Sequence, residues 1–200
     1  MTQIGSEWSR WDLHVHTPAS HTHHYGGDTD ETWEKYIQDL EALPADITVL
    51  GINDYLTVDG YEYLLKAKAD GRLPQIKLML PVIELRLKML GGQEKWVRVN
   101  FHVIFADTVS PEAIRSQFLS KLNADYEMKG HKWSGAPLPD QMAKFATVIR
   151  TSAKKPSNLP DFALAAAYYN LDVDHIREVL LNDVAATAAC PANRHYPISS

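Results

Sequence analysis

A chain of 200 residues with 45% hydrophobic and 22% charged side chains has the make-up of one folded domain and not of an intrinsically disordered chain. Its net charge of −5, with Lys and Arg spread along the chain, excludes a global basic field for holding a nucleic-acid backbone, although a local basic groove stays open. The single cysteine, Cys190, excludes an internal disulfide and a multi-cysteine zinc site, so any metal must be held by His, Asp and Glu. No apolar run approaches the roughly 20 residues of a membrane span, and the polar start from Met1 to Arg10 lacks the apolar core of a signal peptide. No membrane association is expected, and the expected location is cytoplasmic.

The first predicted element is a strand that starts about Trp11 and ends in His14 and His16. Residues two apart on a strand share a face and lie about 7 Å apart along the chain, so both imidazoles can converge on one cation or flank two. Trp11, Leu13 and Val15 alternate with them and are expected to point into packing. Five of the nine histidines fall between His14 and His24.

Asp28 with Glu31 reads as a capping box for a helix that buries Trp33, Ile37, Leu40 and Leu43 and stops at Pro44. The apolar run from Ile47 to Ile52 is the pattern of a strand buried on both faces, ending in Asn53 and Asp54. A second helix is expected from Asp59 to about Asp70, with Gly71 as its stop. A third strand, from Ile76 to about Leu87, carries Glu84. Gly91 and Gly92 separate it from a fourth, Trp96 to Phe105, and the two are expected to form an antiparallel hairpin. Arg98, Asn100 and His102 share one face of that fourth strand. Ser110 before Pro111 starts another helix. Beyond Phe105 only helices are predicted: 140–153, 161–170 and 173–186, the last capped by Asp172. Trp33, Trp96 and Trp133 are read as core residues rather than base-stacking platforms.

Strand and helix alternation argues for an α/β sheet, in which functional residues gather at the C-terminal ends of strands. His14, His16, Asp54, Glu84 and His102 obey that rule on four successive strands, the pattern of a divalent-metal cluster. His21 is a further candidate ligand in the loop that follows, and His23 and His24 lie beside it. Asp12 is a candidate partner for an imidazole. Arg86 and Arg98 share strand faces with Glu84 and His102 and are candidates to receive a substrate phosphate, with a salt bridge as the equal alternative.

These residues resemble a known family. His14-Val15-His16-Thr17-Pro18-Ala19-Ser20 looks like the first motif of the PHP (polymerase and histidinol phosphatase) superfamily, and Gly51-Ile52-Asn53-Asp54-Tyr55 looks like a variant of its second. Glu84 in Pro81-Val82-Ile83-Glu84 matches the metal-bridging glutamate, and His102 in Phe101-His102-Val103 matches the histidine of the next motif. The wording is closest to the N-terminal PHP module of TrlF-like proteins, which carry an ABC or SMC-type ATPase further on, and the likeness covers about residues 5 to 125. The resemblance implies a partial or distorted (β/α) barrel in which divalent ions (Mn²⁺, Zn²⁺ or Fe, two expected here) activate water against a phosphoester, with His14, His16, Glu84 and His102 as catalytic metal ligands and Asp54 as a further one. A nuclease module with a nucleic-acid substrate is one form this takes, with an ATPase partner or a missing C-terminal region completing it.

The chain also departs from the pattern. Tyr55 stands where the second motif usually has histidine, and Asn53 where it usually has threonine. The later ligands are not visible, since Asp172-Val173-Asp174-His175 reads as helix surface and His131 as loop. The expected organisation is therefore a PHP-like α/β region over 1–130, a helical extension over 131–189 and a loose tail over 190–200. Two alternatives to the phosphoesterase stay open. One is a catalytically incomplete PHP remnant serving as an interaction or regulatory module; the other is a metal-dependent amidohydrolase, whose first strand also carries His-x-His. An exposed sheet edge would favour a homo-oligomer.

Overall fold

The computed structural model describes residues 9–20, 25–92, 97–152 and 158–184. It is a mixed α/β structure built on a four-stranded sheet of order β1-β2-β3-β4, with β1 at Arg10–Val15, β2 at Ile47–Tyr55, β3 at Leu78–Gly91 and β4 at Val97–Ile104. The pairs β1–β2 and β2–β3 are parallel, joined through helices α1 (Asp30–Glu41) and α2 (Asp59–Ala69), and β3–β4 is the expected antiparallel hairpin. A partial barrel is compatible with this sheet. β2 is buried along its whole length, as the largely apolar run from Ile47 to Ile52 predicts for a central strand covered on both faces, and the burial extends over Asn53 and Asp54 as well.

Helix α1 starts one residue later than the sequence suggests. Thr29 is the N-cap, accepting from the Thr32 N–H at 3.3 Å, while Asp28 takes the Trp33 indole N–H at 2.6 Å. Trp33 then stacks on Tyr63 and is core, whereas Trp133, stacked on Phe145, is half-buried and packs against the core; Trp96 lies outside the described residues.

β1 does not follow strict alternation. Asp12 pairs with Leu50 and Val15 with Ile52, so β1 carries one extra residue across this stretch, a β-bulge. Trp11 is accordingly 58% exposed on an edge strand, against the expectation that it packs, while Leu13 and Val15 are half-buried. Gly51, between the two paired residues of β2, makes room: a Cβ there would stand 2.8 Å from Leu13 Cα.

The reading of helices alone beyond Phe105 is corrected. The segment opened by Ser110 is α-helical only over Pro111–Ala113 (α3) and continues as a π turn, Ile114–Phe118, and a 3₁₀ turn, Leu119–Lys121. It is followed by a two-stranded antiparallel hairpin, β5 (Ala124–Met128) and β6 (His131–Gly135). Lys129 and Gly130 link its strands with φ of 51° and 79°, the conformation of a two-residue primed turn. Lys-Gly lacks the Asn or Asp that usually announces such a turn, and this is why the hairpin escaped the pattern. The boundary expected at residue 130 thus falls inside this turn. Helices α4 (Pro139–Ser152), α5 (Asp161–Tyr168) and α6 (Val173–Val179, capped by Asp172 and followed by a π turn over Leu180–Val184) complete the described chain. The expected tail, 190–200, lies outside it.

The later helices share the core of the sheet. One continuous set of buried residues runs from Trp33 to Val179 and includes Ile83, Leu85, Phe118, Phe145, Leu164 and Ile176. Past Glu84, where β2 ends, β3 takes a new neighbour: Leu171 N–H donates to Arg86 O at 2.9 Å and Lys88 N–H to Leu171 O at 2.8 Å. No helix among the described residues is long and apolar enough to cross a membrane.

Candidate metal centre

Three strands bring their polar residues to one place. β1 and its continuation supply His14 and His16, β3 supplies Glu84, and β4 supplies His102, which pairs directly with Glu84 across the hairpin. Glu84 is 4% exposed. The three imidazoles approach one atom of it: Nε2 of His16 lies 3.5 Å from Glu84 Oε2, and Nε2 of His14 and of His102 lies 3.8 Å from it. The Nε2 atoms of His14 and His16 are 3.2 Å apart, and the His14 and His102 rings meet edge to face. His14, Glu84 and His102 offer ligand atoms that all lie within 4.8 Å of one another, the single such group among the described residues.

This donor set fits a divalent cation. Bonds of about 2.0–2.1 Å to imidazole and carboxylate place tetrahedral ligand atoms roughly 3.3 Å apart. The separations here, 3.2, 3.5 and 3.8 Å, bracket that edge. Nitrogen and carboxylate oxygen suit zinc, manganese and iron alike.

Neighbouring residues hold the donors in place. Asn53, fully buried at the end of β2, donates its Nδ2 to Glu84 Oε2 at 3.0 Å, and Asn100 on β4 donates its Nδ2 to Glu84 Oε1. The Asn53 Oδ1 is buried with no hydrogen-bond partner among the described residues. The Ser20 hydroxyl faces His16 Nδ1 at 3.3 Å, so the opposite ring nitrogen is the one turned to the cluster. Burial pulls the pKa of His16 and of His102 below the ordinary imidazole value despite the opposing pull of Glu84; the neighbouring imidazoles add to the lowering. Both therefore favour the neutral form, the one able to ligate a metal.

The other predicted site residues that the structure describes have other partners. Asp54 has both oxygens engaged by Thr17, from its N–H at 2.9 Å and its hydroxyl at 2.7 Å, and so clamps the loop after β1 onto β2. Desolvation raises its pKa to about 6. Asp12 accepts from the His14 backbone N–H at 3.1 Å, inside the bulge, and partners no imidazole among the described residues. The Arg86 guanidinium lies over the Tyr55 ring, 5.2 Å from its centre, and Arg98 sits across from Leu90 in the hairpin register. His21, with His23 and His24, lies outside the described residues. His131 is exposed at the start of β6, a strand rather than the expected loop, and His175 on α6 accepts from the Asn123 N–H at 3.0 Å.

Asn53 and Asn100 were missed as positioning residues. The signal for Asn100 was present, because it stands two residues before His102 on one strand and so shares its face. The grip of Asn53 on Glu84 needed the β2–β3 register. No family model and no curated protein matches the chain.

Proposed function

We propose that this chain is a metal-dependent phosphoesterase of the PHP type, a hydrolase in which His14, His16, Glu84 and His102 hold the divalent cation. The convergence of three imidazoles on one buried carboxylate oxygen carries the reading. Apolar packing does not require such a cluster, and burying a carboxylate needs compensating partners. The chemistry a bound Mn²⁺, Zn²⁺ or iron ion supplies here is a water of lowered pKa and polarisation of a phosphoryl oxygen. Glu84, gripped by Asn53 and Asn100, fixes the position of the charge, and His14, 55% exposed, marks the side from which a phosphoester enters. The likeness to the N-terminal module of TrlF-like proteins makes nucleic acid the first substrate to try, and an ATPase the first partner.

The test is hydrolysis of bis(p-nitrophenyl) phosphate and of single-stranded DNA by protein loaded in turn with Mn²⁺, Zn²⁺ and Fe²⁺, with Glu84→Gln as control. Turnover that the metal restores and Glu84→Gln removes supports the proposal; no turnover above the control with any of the three metals overturns it.

A second reading, a metal-binding but catalytically incomplete module, is favoured by one observation. The donors come from β1, β3 and β4, and among the described residues no His, Cys, Asp or Glu of β5, β6 or the later helices joins the group. Metal bound without turnover would select it.

A further inference from the structure

We infer that Arg86 and Arg98 form a phosphate-binding track along the β3–β4 hairpin, so that the substrate is a single nucleic-acid strand held by phosphates neighbouring the scissile one. As a statement about substrate this deepens the phosphoesterase reading and rests on it, but the side chains that carry it are not those of the cluster. Residues two apart on a strand share a face, so Arg86 follows Glu84 on β3, and Asn100 and then Arg98 follow His102 on β4. The register sets Glu84 against His102 and Arg86 against Asn100, and Arg98 comes one step further out. Each step is about 7 Å along the strand, of the same order as the advance from one phosphate to the next in an extended single strand. The track leaves past the C-terminal end of β2, whose last residue, Tyr55, pairs with Glu84. That end is where open α/β sheets take their ligands.

The charge on this track is unspent. Among the described residues neither arginine meets a carboxylate at ion-pair distance, so the salt bridge weighed as the alternative is not formed there. Arg86 has the Tyr55 ring, 5.2 Å away, and a 3.5 Å approach to the Ala167 carbonyl, while Arg98 is exposed. A guanidinium fork without a carboxylate fits phosphate oxygens in pairs. Tyr55 adds an independent sign. It is 3% exposed, and its hydroxyl is buried with no hydrogen-bond partner among the described residues. Phenylalanine would fill the same space without that cost, so the hydroxyl points to an acceptor brought by a ligand. Burial pushes its pKa up to about 12 against the pull of Arg86 and Arg98, which keeps it a donor set among positive charges. A ligand with one phosphate fills one position of this row; a strand fills it in succession.

The experiment strips the whole chain with chelator, so that side chains alone bind, and titrates it against fluorescein-labelled oligothymidylate by fluorescence anisotropy at several salt concentrations. Arg86→Gln and Arg98→Gln are each expected to raise Kd about tenfold and to make the slope of log K against log salt shallower by about 0.7, one phosphate contact on a single strand. Tyr55→Phe removes a buried, unpartnered hydroxyl and should melt no lower than wild type, yet raise Kd about tenfold with the slope unchanged. Inorganic phosphate should displace the probe only at far higher concentration than unlabelled oligothymidylate, counted per phosphate. No binding of the probe by wild type would overturn the inference while leaving the metal reading intact. So would an unchanged affinity in any of the three variants, or displacement by inorganic phosphate as readily as by the strand. Failure of the phosphoesterase reading shows separately, as no turnover by loaded wild type in the assay above; a strand bound as expected would then be no substrate, and the assignment would fall with that reading.

Discussion

Glu84 is the residue on which the site depends, because it is both the buried charge and the acceptor for two amides. Glu84→Gln keeps the shape but sets an amide donor against another donor. It is expected to lower Zn²⁺ affinity at least 100-fold and to cost the metal-free protein about 1–3 kcal/mol, read by calorimetry and urea unfolding. The titrating groups nearby pull stability in opposite directions with pH. His16 and His102 have folded-state pKa values below the ordinary 6.5, so the unfolded chain binds more protons; their stabilising contribution is present above pH 6.5 and is lost as pH falls through the lowered values. Asp54 is raised from 3.8 to about 6, so its contribution is present below about pH 4 and is lost as pH rises through 6. That amounts to about 3 kcal/mol against folding at neutral pH. Asp54→Asn keeps an acceptor for the Thr17 N–H and turns its amide toward the Thr17 hydroxyl. The expected outcome is a melting temperature at pH 7 no lower than wild type, with the decline between pH 4 and 6 removed and unaltered Zn²⁺ stoichiometry. Loss of metal in Asp54→Asn would instead make Asp54 a ligand.

Among the elements, the bulged β1 and the glycines beside it decide where His14 and His16 point. Gly51 lets Leu13 approach β2, and Gly60 at the start of α2 lies against the Asp54–Thr17 clamp: a Cβ there would meet Asp54 Oδ2 and Thr17 Oγ1 at 2.1 Å. Gly60→Ala must therefore displace the clamp. It is expected to cost about 1–3 kcal/mol in unfolding experiments. It should also weaken metal binding, because the displaced loop carries Ser20 behind His16. Much at this scale was legible from the chain alone. β2 followed from its apolar run, α2 from its periodicity and stop, and the β3–β4 hairpin from Gly91-Gly92. The bulge was not, because alternation read on one strand carries no information about its partner's register.

For the molecule as a whole, the helical part completes the sheet's core. Leu171, fully buried, bonds through its backbone to β3 at the level where β2 has ended. Leu171→Ala is expected to cost about 2–5 kcal/mol with a single unfolding transition seen by both circular dichroism and tryptophan fluorescence. Two separated transitions would show that the helices fold independently of the sheet.

The sequence by itself determined the α/β alternation, the four strands of the main sheet and three of the groups that meet, His14, Glu84 and His102, since period-two alternation is a local property of the chain. His16 came with His14 by the same spacing. Only the tertiary structure decided what those groups do to one another. Register set Glu84 against His102 and turned three imidazoles to one oxygen, and strand pairing recruited Asn53 and Asn100. Packing against Gly60 confined Asp54 to Thr17. These outcomes depend on how far one strand slides against the next, a quantity that no single strand encodes.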